Sequence, residues 1–190
     1  MKNLIIENDI VVGCDFGVKS VVLPETTKTI DRAAFYESDL KEISLNDGLT
    51  KIEELAFLGT ELKSIYIPKS VEYIGAGFVA GCMSLNSIVV NKDNKNYFSA
   101  NNCLVERKTN KVVAICGNAT IPDGVTEISA LAFYGRSGNL VVEIPESVTK
   151  IEKSQFEFLS SLEFPITIKA KKNSYAIAFA KENEIEFVEM

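Results

Sequence analysis

The 190-residue sequence predicts a β-rich α/β solenoid of 22–23-residue coils, each coil a short strand, a turn and a short helix. Three observations carry that prediction. One sentence is written five times: "VVLPETTKTIDRAAF" (21–35), "ISLNDGLTKIEELAF" (43–57), "IYIPKSVEYIGAGF" (65–78), "ATIPDGVTEISALAF" (119–133) and "VEIPESVTKIEKSQF" (142–156). The copies recur at a period in the twenties, which is how a chain stacks units that bury their apolar faces only against neighbours. The same residue types also return in the same columns.

Aligned on the apolar residue before the proline, the copies start at Leu23, Leu45, Ile67, Ile121 and Ile144, spaced by 22 residues at first and 23 at the last. Seven residues on stand Ile30, Ile52, Ile74, Ile128 and Ile151. Phe35, Phe57, Phe78, Phe133 and Phe156 form a third column, so five of the 11 phenylalanines belong to one stack. Leu40, Leu62, Leu85, Leu140 and Leu162 form a fourth and lead into the next strand.

Each column has a local reason. "SIYI" and "SIVV" alternate β-branched and polar residues, the pattern of a half-buried strand. Pro24, Pro68, Pro122 and Pro145 follow, and proline has no N–H for the ladder, so the strand stops. "DG" at 47–48 and 123–124 forms turns. "EELAF" and "ALAF" predict one or two turns of helix, ended by Gly59, Gly81 and Gly135 in a left-handed conformation.

The word "IPKSVEYIGAGFVAGCMSLNSIVV" at 67–90, with close relatives at 45–67 and 121–144, resembles the BspA-like, or Treponema-type, leucine-rich repeats. The resemblance covers residues 21–168. Departures are Asn46 in place of proline, a third copy one residue shorter before its Phe, and Ser154-Gln155 before Phe156. The likeness implies two unequal arrays, one from 21 to 90 and one from 118 to 169, separated by a β-hairpin insertion at 91–117. Residues 1–20 read as a second, hairpin-like cap, with "ENDIV" at 7–11 matched to "NNCLV" at 101–105. Residues 170–190 read as a C-terminal cap: a helix over 173–183 with Ser174 as N-cap, then a closing strand "IEFVE".

Chemistry is sparse. The chain has no histidine, which removes Ser-His-Asp and Cys-His nucleophiles and the commonest transition-metal ligand. No phosphate-binding G-x-x-x-x-G-K-[ST] occurs, and Gly75-Ala76-Gly77 lacks the third glycine of a dinucleotide loop. Glu53-Glu54 and the Glu182/Glu184 pair read as solvated acids. "NKDN" at 91–94 lacks the Gly and Glu of a calcium loop. Cys14, Cys82, Cys103 and Cys116 match no zinc spacing and read as reduced core thiols, with a Cys103–Cys116 bridge as the alternative. The sequence therefore predicts no enzyme, no cofactor and no metal.

A net charge of −6 argues against nucleic acid as a partner. Residues 91–111 are locally basic, with Lys92, Lys95, Arg107, Lys108 and Lys111 against Asp93 and Glu106. No apolar run approaches the ~20 residues of a membrane-spanning helix. The start carries no signal-peptide pattern, so the chain as given is expected to be cytoplasmic, or at the cell surface or secreted if a targeting segment was removed.

The expected function is a non-catalytic protein-interaction module. A stack of strands presents one exposed side chain per coil on a common face. The candidate partner-binding face comprises Glu42, Ser44, Ser64, Tyr66, Ser87, Val89, Thr120 and Glu143, in rows that also hold Ser20, Val22, Asn118 and Val141. Tyr66 is the aromatic in that row with a polar tip, a residue type favoured at binding hot spots. The basic insertion is a second candidate, for an acidic partner. The resemblance implies binding of proteins or extracellular matrix, often at bacterial surfaces. The alternatives are a fragment of a bacterial surface adhesin, or a structural protein that self-assembles through solenoid ends or edge strands.

Overall fold

The computed structural model describes residues 4–117, 119–129, 131–134, 140–152 and 166–190. Asn118, Gly135, Ser154, Gln155, Phe156 and Leu162 lie outside the described residues. Within the coils, each apolar-Pro word ends a longer strand, and the Ile column sits in a two-residue strand that belongs to a different sheet. Strands β3 (Ser20–Val22), β5 (Glu42–Ser44), β7 (Ser64–Ile67) and β9 (Ser87–Val90) are of the first kind. Strands β4 (Thr29–Ile30), β6 (Lys51–Ile52) and β8 (Tyr73–Ile74) are of the second. β4, β6 and β8 pair in parallel with Ile30, Ile52 and Ile74 in register.

β1 (Leu4–Glu7) and β2 (Ile10–Cys14) form an antiparallel hairpin that extends the short-strand sheet, giving the order β1-β2-β4-β6-β8. The second array repeats the scheme. Its short strands β13 (Glu127–Ile128) and β15 (Lys150–Ile151) extend an antiparallel meander of β10 (Tyr97–Ala100), β11 (Cys103–Glu106) and β12 (Lys111–Ile115). Its long strands are β14 (Leu140–Ile144), β16 (Ile166–Ala170) and β17 (Glu186–Glu189), all parallel. Helix α1 (Tyr175–Glu182) lies between β16 and β17, and the Ser174 side chain accepts from the Ile177 N–H. The expected helix, cap and closing strand are therefore all present.

The columns form the core. Phe35, Phe57, Phe78 and Phe133 are buried, as are Ile30, Ile52, Ile74, Ile128 and Ile151. The rings of Phe35 and Phe57 stack with centroids 5.2 Å apart and planes 11° from parallel. Leu40, Leu62 and Leu85 are buried as well.

Several expectations are corrected. The segment before each Phe is a run of turns in the described residues, not a short helix. Its reason is a left-handed residue two positions before the Phe or one position before: Ala33, Leu55, Gly77 and Leu131 all have φ between 54° and 63°. A residue so placed breaks the run of right-handed dihedrals that a helix needs. Gly59 and Gly81 are left-handed as expected, but they close turns.

The insertion is a three-stranded meander, not a simple hairpin. The match of "ENDIV" to "NNCLV" also shifts. Both words do carry a two-residue turn with positive φ, at Asn8-Asp9 and Asn101-Asn102. Yet the strand that docks on the first short strand is β2 in one array and β12 in the other. Thus "LIIE" corresponds to "CLVE" at 103–106, and "IVVG" at 10–13 to "KVVA" at 111–114.

The Cys103–Cys116 alternative fails on geometry. Cys103 opposes Ile115 across the β11–β12 ladder, so Cys116 falls one step out of register. Alternate residues of a strand point to opposite faces. Cys103 accordingly packs in the core of the second array and Cys116 in that of the first, with no disulfide formed.

Asn46, the departure from proline, earns its place in the structure. Its side-chain amide donates to the carbonyls of Pro24, Glu25 and Thr27 in the preceding coil, at 2.9–3.0 Å. Asn94, from the insertion, does the same for the third coil, donating to Pro68 O and Val71 O. Its Oδ1 accepts from the N–H groups of Asn96 and Tyr97. Both amides satisfy buried turn carbonyls that the ladder leaves over.

Candidate functional site: the long-strand face

Strand alternation turns every second residue of the long strands outward. On β3 and β5 the registered outward pairs are Ser20 with Glu42 and Val22 with Ser44. On β7 and β9 they are Ser64 with Ser87 and Tyr66 with Val89. β5 and β7 pack side by side, joined by Lys63 N–H to Lys41 O. Glu42, Ser44, Ser64, Ser87, Tyr66 and Val89 therefore share one face. All but the half-buried Ser87 are exposed. The most exposed apolar groups there are Val22 at 75%, Tyr66 at 49% and Val89 at 47%.

Tyr66 is less solitary than its sequence suggests. Its hydroxyl accepts from the Asn91 side-chain amide at 2.8 Å, which fixes the ring against the turn after β9. The sequence offered no signal for this bond, because Asn91 lies 25 residues away beyond another coil.

Thr120 and Glu143 are exposed too, but they do not continue the row. The β10–β11 turn is wedged in between. Ser99 Oγ accepts from Val90 N–H, Asn102 O accepts from Cys116 N–H, and Asn101 O accepts from Thr120 N–H. Thr120 and Glu143 instead line a separate open cleft of about 390 Å³ with Asn101, Asp123, Glu146 and Lys171. Lys169 and Lys171 pair with Glu143 and Glu146 at 3.1 and 2.7 Å, so much of the acidic charge there is already matched. Asn118 lies outside the described residues.

The basic insertion divides as well. Arg107 Nε donates to Asn94 O and Tyr97 O, and its guanidinium lies 5.0 Å from the Phe98 ring centre. Lys111 bridges Glu127 and Glu152 at 3.4 and 3.5 Å. These two cations hold the meander and its short-strand sheet together. Lys92, Lys95 and Lys108 are exposed and make no ion pair among the described residues.

Among the described residues no three His, Cys, Asp or Glu side chains gather as a metal site. No described helix is long and apolar enough to cross a membrane. Burial pushes the Cys82 thiol above its usual range, and Cys82 Sγ donates to Phe57 O at 3.0 Å, so it is a packed core thiol.

The family model for the BspA type leucine-rich repeat region matches in six copies over residues 5–115 and 114–190. The chain belongs to that family. Among solved structures it is similar to a leucine rich cell surface protein from Faecalibacterium prausnitzii A2-165, at 30% identity and a TM-score of 0.62. That match covers 70% of this chain and 37% of the other. It shares its fold with a leucine-rich repeat protein from Eubacterium ventriosum, at 20% identity and a TM-score of 0.57 over 92% of this chain and 60% of the other. The chain thus spans less than two thirds of either solved chain. No curated protein matches it.

Proposed function

We propose that this BspA-type repeat chain is a non-catalytic protein-interaction module that binds through the long-strand face of its first array. The carrying observation is the side-by-side row Val22, Ser44, Tyr66 and Val89, apolar at three of four positions and exposed. The fold does not need these side chains, whose neighbours Val21, Ile65 and Ile88 form the core. An amphipathic ring flanked by small serines suits a flat protein partner, since tyrosine supplies contact area with few rotatable bonds.

We extend to this chain the surface setting named for the Faecalibacterium protein, and propose matrix or host proteins as the partner class. Immobilised purified matrix proteins, probed with the chain and with Tyr66→Ala, Glu143→Lys and Lys181→Ala, test this. Binding lost on Tyr66→Ala and kept on Lys181→Ala supports the face. Equal loss from both, or no binding to any of the panel, overturns it. Glu143→Lys reports whether the cleft beside Thr120 takes part.

A further inference from the structure

Four lysines gather where the insertion leaves the first array. Ile67 of β7 and Val90 of β9 are in register, and a like turn follows each. One turn is closed by Val71 N–H to Pro68 O, the other by Asn94 N–H to Asn91 O. Lys69 and Lys92 hold the same place in these two turns, on coils stacked about 4.8 Å apart. The Asn94 amide, donating to Pro68 O and Val71 O, ties one turn to the other. Lys95 and Lys108 stand just beyond the β10–β11 ladder. Tyr97 opposes Glu106, Arg107 N–H donates to Asn96 O, and the two lysines are the next residues out on either side.

All four lysines are exposed. None makes an ion pair among the described residues, whereas Lys111, Lys150, Lys169 and Lys171 of the second array's sheets each have a glutamate. Glu72 and Asp93 are the acids of the same turns, and Glu106 is engaged by the Thr109 hydroxyl. The backbone beneath is held in place, because Asn94 is buried and Arg107 Nε donates to Asn94 O and Tyr97 O. Like charges set side by side repel, so this placement costs the fold stability. An anion that bridges the lysines relieves that cost.

We propose that this basic patch binds a linear sulfated polysaccharide, its sulfates spaced over the lysine pairs, as a second surface beyond the long-strand face. Charge complementarity carries the choice of occupant, and the bareness of the patch narrows it. No large apolar side chain of residues 68–72 or 91–111 is exposed. A peptide would need an apolar or aromatic anchor there, and a single nucleic-acid strand an aromatic face for its bases. Lysine also lacks the planar fork that grips a carboxylate through two bonds, so an acidic peptide gains no geometric preference.

Immobilised heparin fragments test this with the full chain, beside unsulfated hyaluronan of equal length. The chain should bind heparin and not hyaluronan. Binding seen at about 0.1 M salt should vanish at about 1 M, where the screening length falls to about 3 Å. Lys95→Ala with Lys108→Ala should weaken it at least about tenfold. Lys19→Ala with Lys63→Ala, at exposed lysines near Glu61, should leave it unchanged. Amide exchange at residues 91–96 and 106–110 of the unmodified chain should slow on adding heparin, a readout that needs no variant to fold. No binding to heparin, or equal loss from both lysine pairs, overturns the proposal. Tighter capture of poly-glutamate, duplex DNA or phosphatidylserine vesicles overturns the choice of occupant.

Discussion

Gly75 is the position with least room. A methyl group built there would lie 2.3 Å from the backbone N of Glu54 and 2.7 Å from its Cα. These atoms belong to the neighbouring coil, so Gly75→Ala must push two coils apart. It should lower the denaturant midpoint by the equivalent of about 2 kcal/mol or more, as over-packing of a closed contact does. Glu37 presents the reverse case. It holds φ 49° in the column where Gly59 and Gly81 stand at 72° and 71°, and its side chain is exposed. Glu37→Gly should raise stability by roughly 0.5–1 kcal/mol, the left-handed penalty less the added entropy of the unfolded chain. A lower thermal midpoint would show that the Tyr36 hydroxyl's bond to the Glu37 carboxylate outweighs the backbone.

At the scale of the element, the Phe stack couples coils that are separate in sequence. Phe57 N–H donates to Phe78 O and Phe35 N–H to Ala56 O, so each coil edge is bonded to the next. Phe57→Ser should cost on the order of 3–5 kcal/mol and speed amide exchange in β4 and β8 as well as β6. Opening confined to residues 45–67 would deny that coupling. The second array adds a charged lattice on β12, β13 and β15. Burial alone would raise the Glu127 carboxyl, but the bond from Lys150 and the charge of Lys111 outweigh it and hold it below the usual carboxylate range. A depressed folded value gives stability that is full above the ordinary carboxylate range and fades as pH falls through the depressed one. Glu127→Gln should flatten that acid loss in a pH series of thermal midpoints; an unchanged slope would remove Glu127 from the acid response.

The repeat was legible in the sequence because its columns are strictly local. Leu23, Ile30, Phe35 and their copies meet the same column one period on, so spacing alone locates the core. The left-handed Ala33 and Leu55 were not legible, since alanine and leucine advertise helix. The correspondence of β1–β2 with β11–β12 was hidden by loops of unequal length, two residues at Asn8-Asp9 and four at 107–110. The wedge of Asn101 between Val89 and Thr120 was hidden too, because strand rows drawn by period skip any insertion. The candidate face was therefore readable within one array and not across two.

At the scale of the molecule, two arrays with separate cores meet at a meander that serves both. Leu104, Val113, Ala114 and Cys116 pack with the first core, Cys103, Val105, Val112 and Ile115 with the second. Tyr97 closes the first short-strand sheet by accepting, at 2.9 Å, the N–H that Ile74 would otherwise leave buried. Tyr97→Phe should therefore destabilise the first array by about 1–3 kcal/mol, the range for an orphaned buried donor. The core and its turns leave Val22, Tyr66 and Val89 of the long-strand face exposed, and that is the face we propose for recognition. The most direct test compares binding by two double variants of matched thermal stability. One is Tyr66→Ala with Val89→Ala on the long-strand face; the other is Thr29→Ala with Tyr73→Ala on the short-strand face. Against a captured matrix protein, the first should weaken affinity at least tenfold, on the order of 1.4 kcal/mol, and the second should leave it unchanged. The opposite ranking would contradict the account.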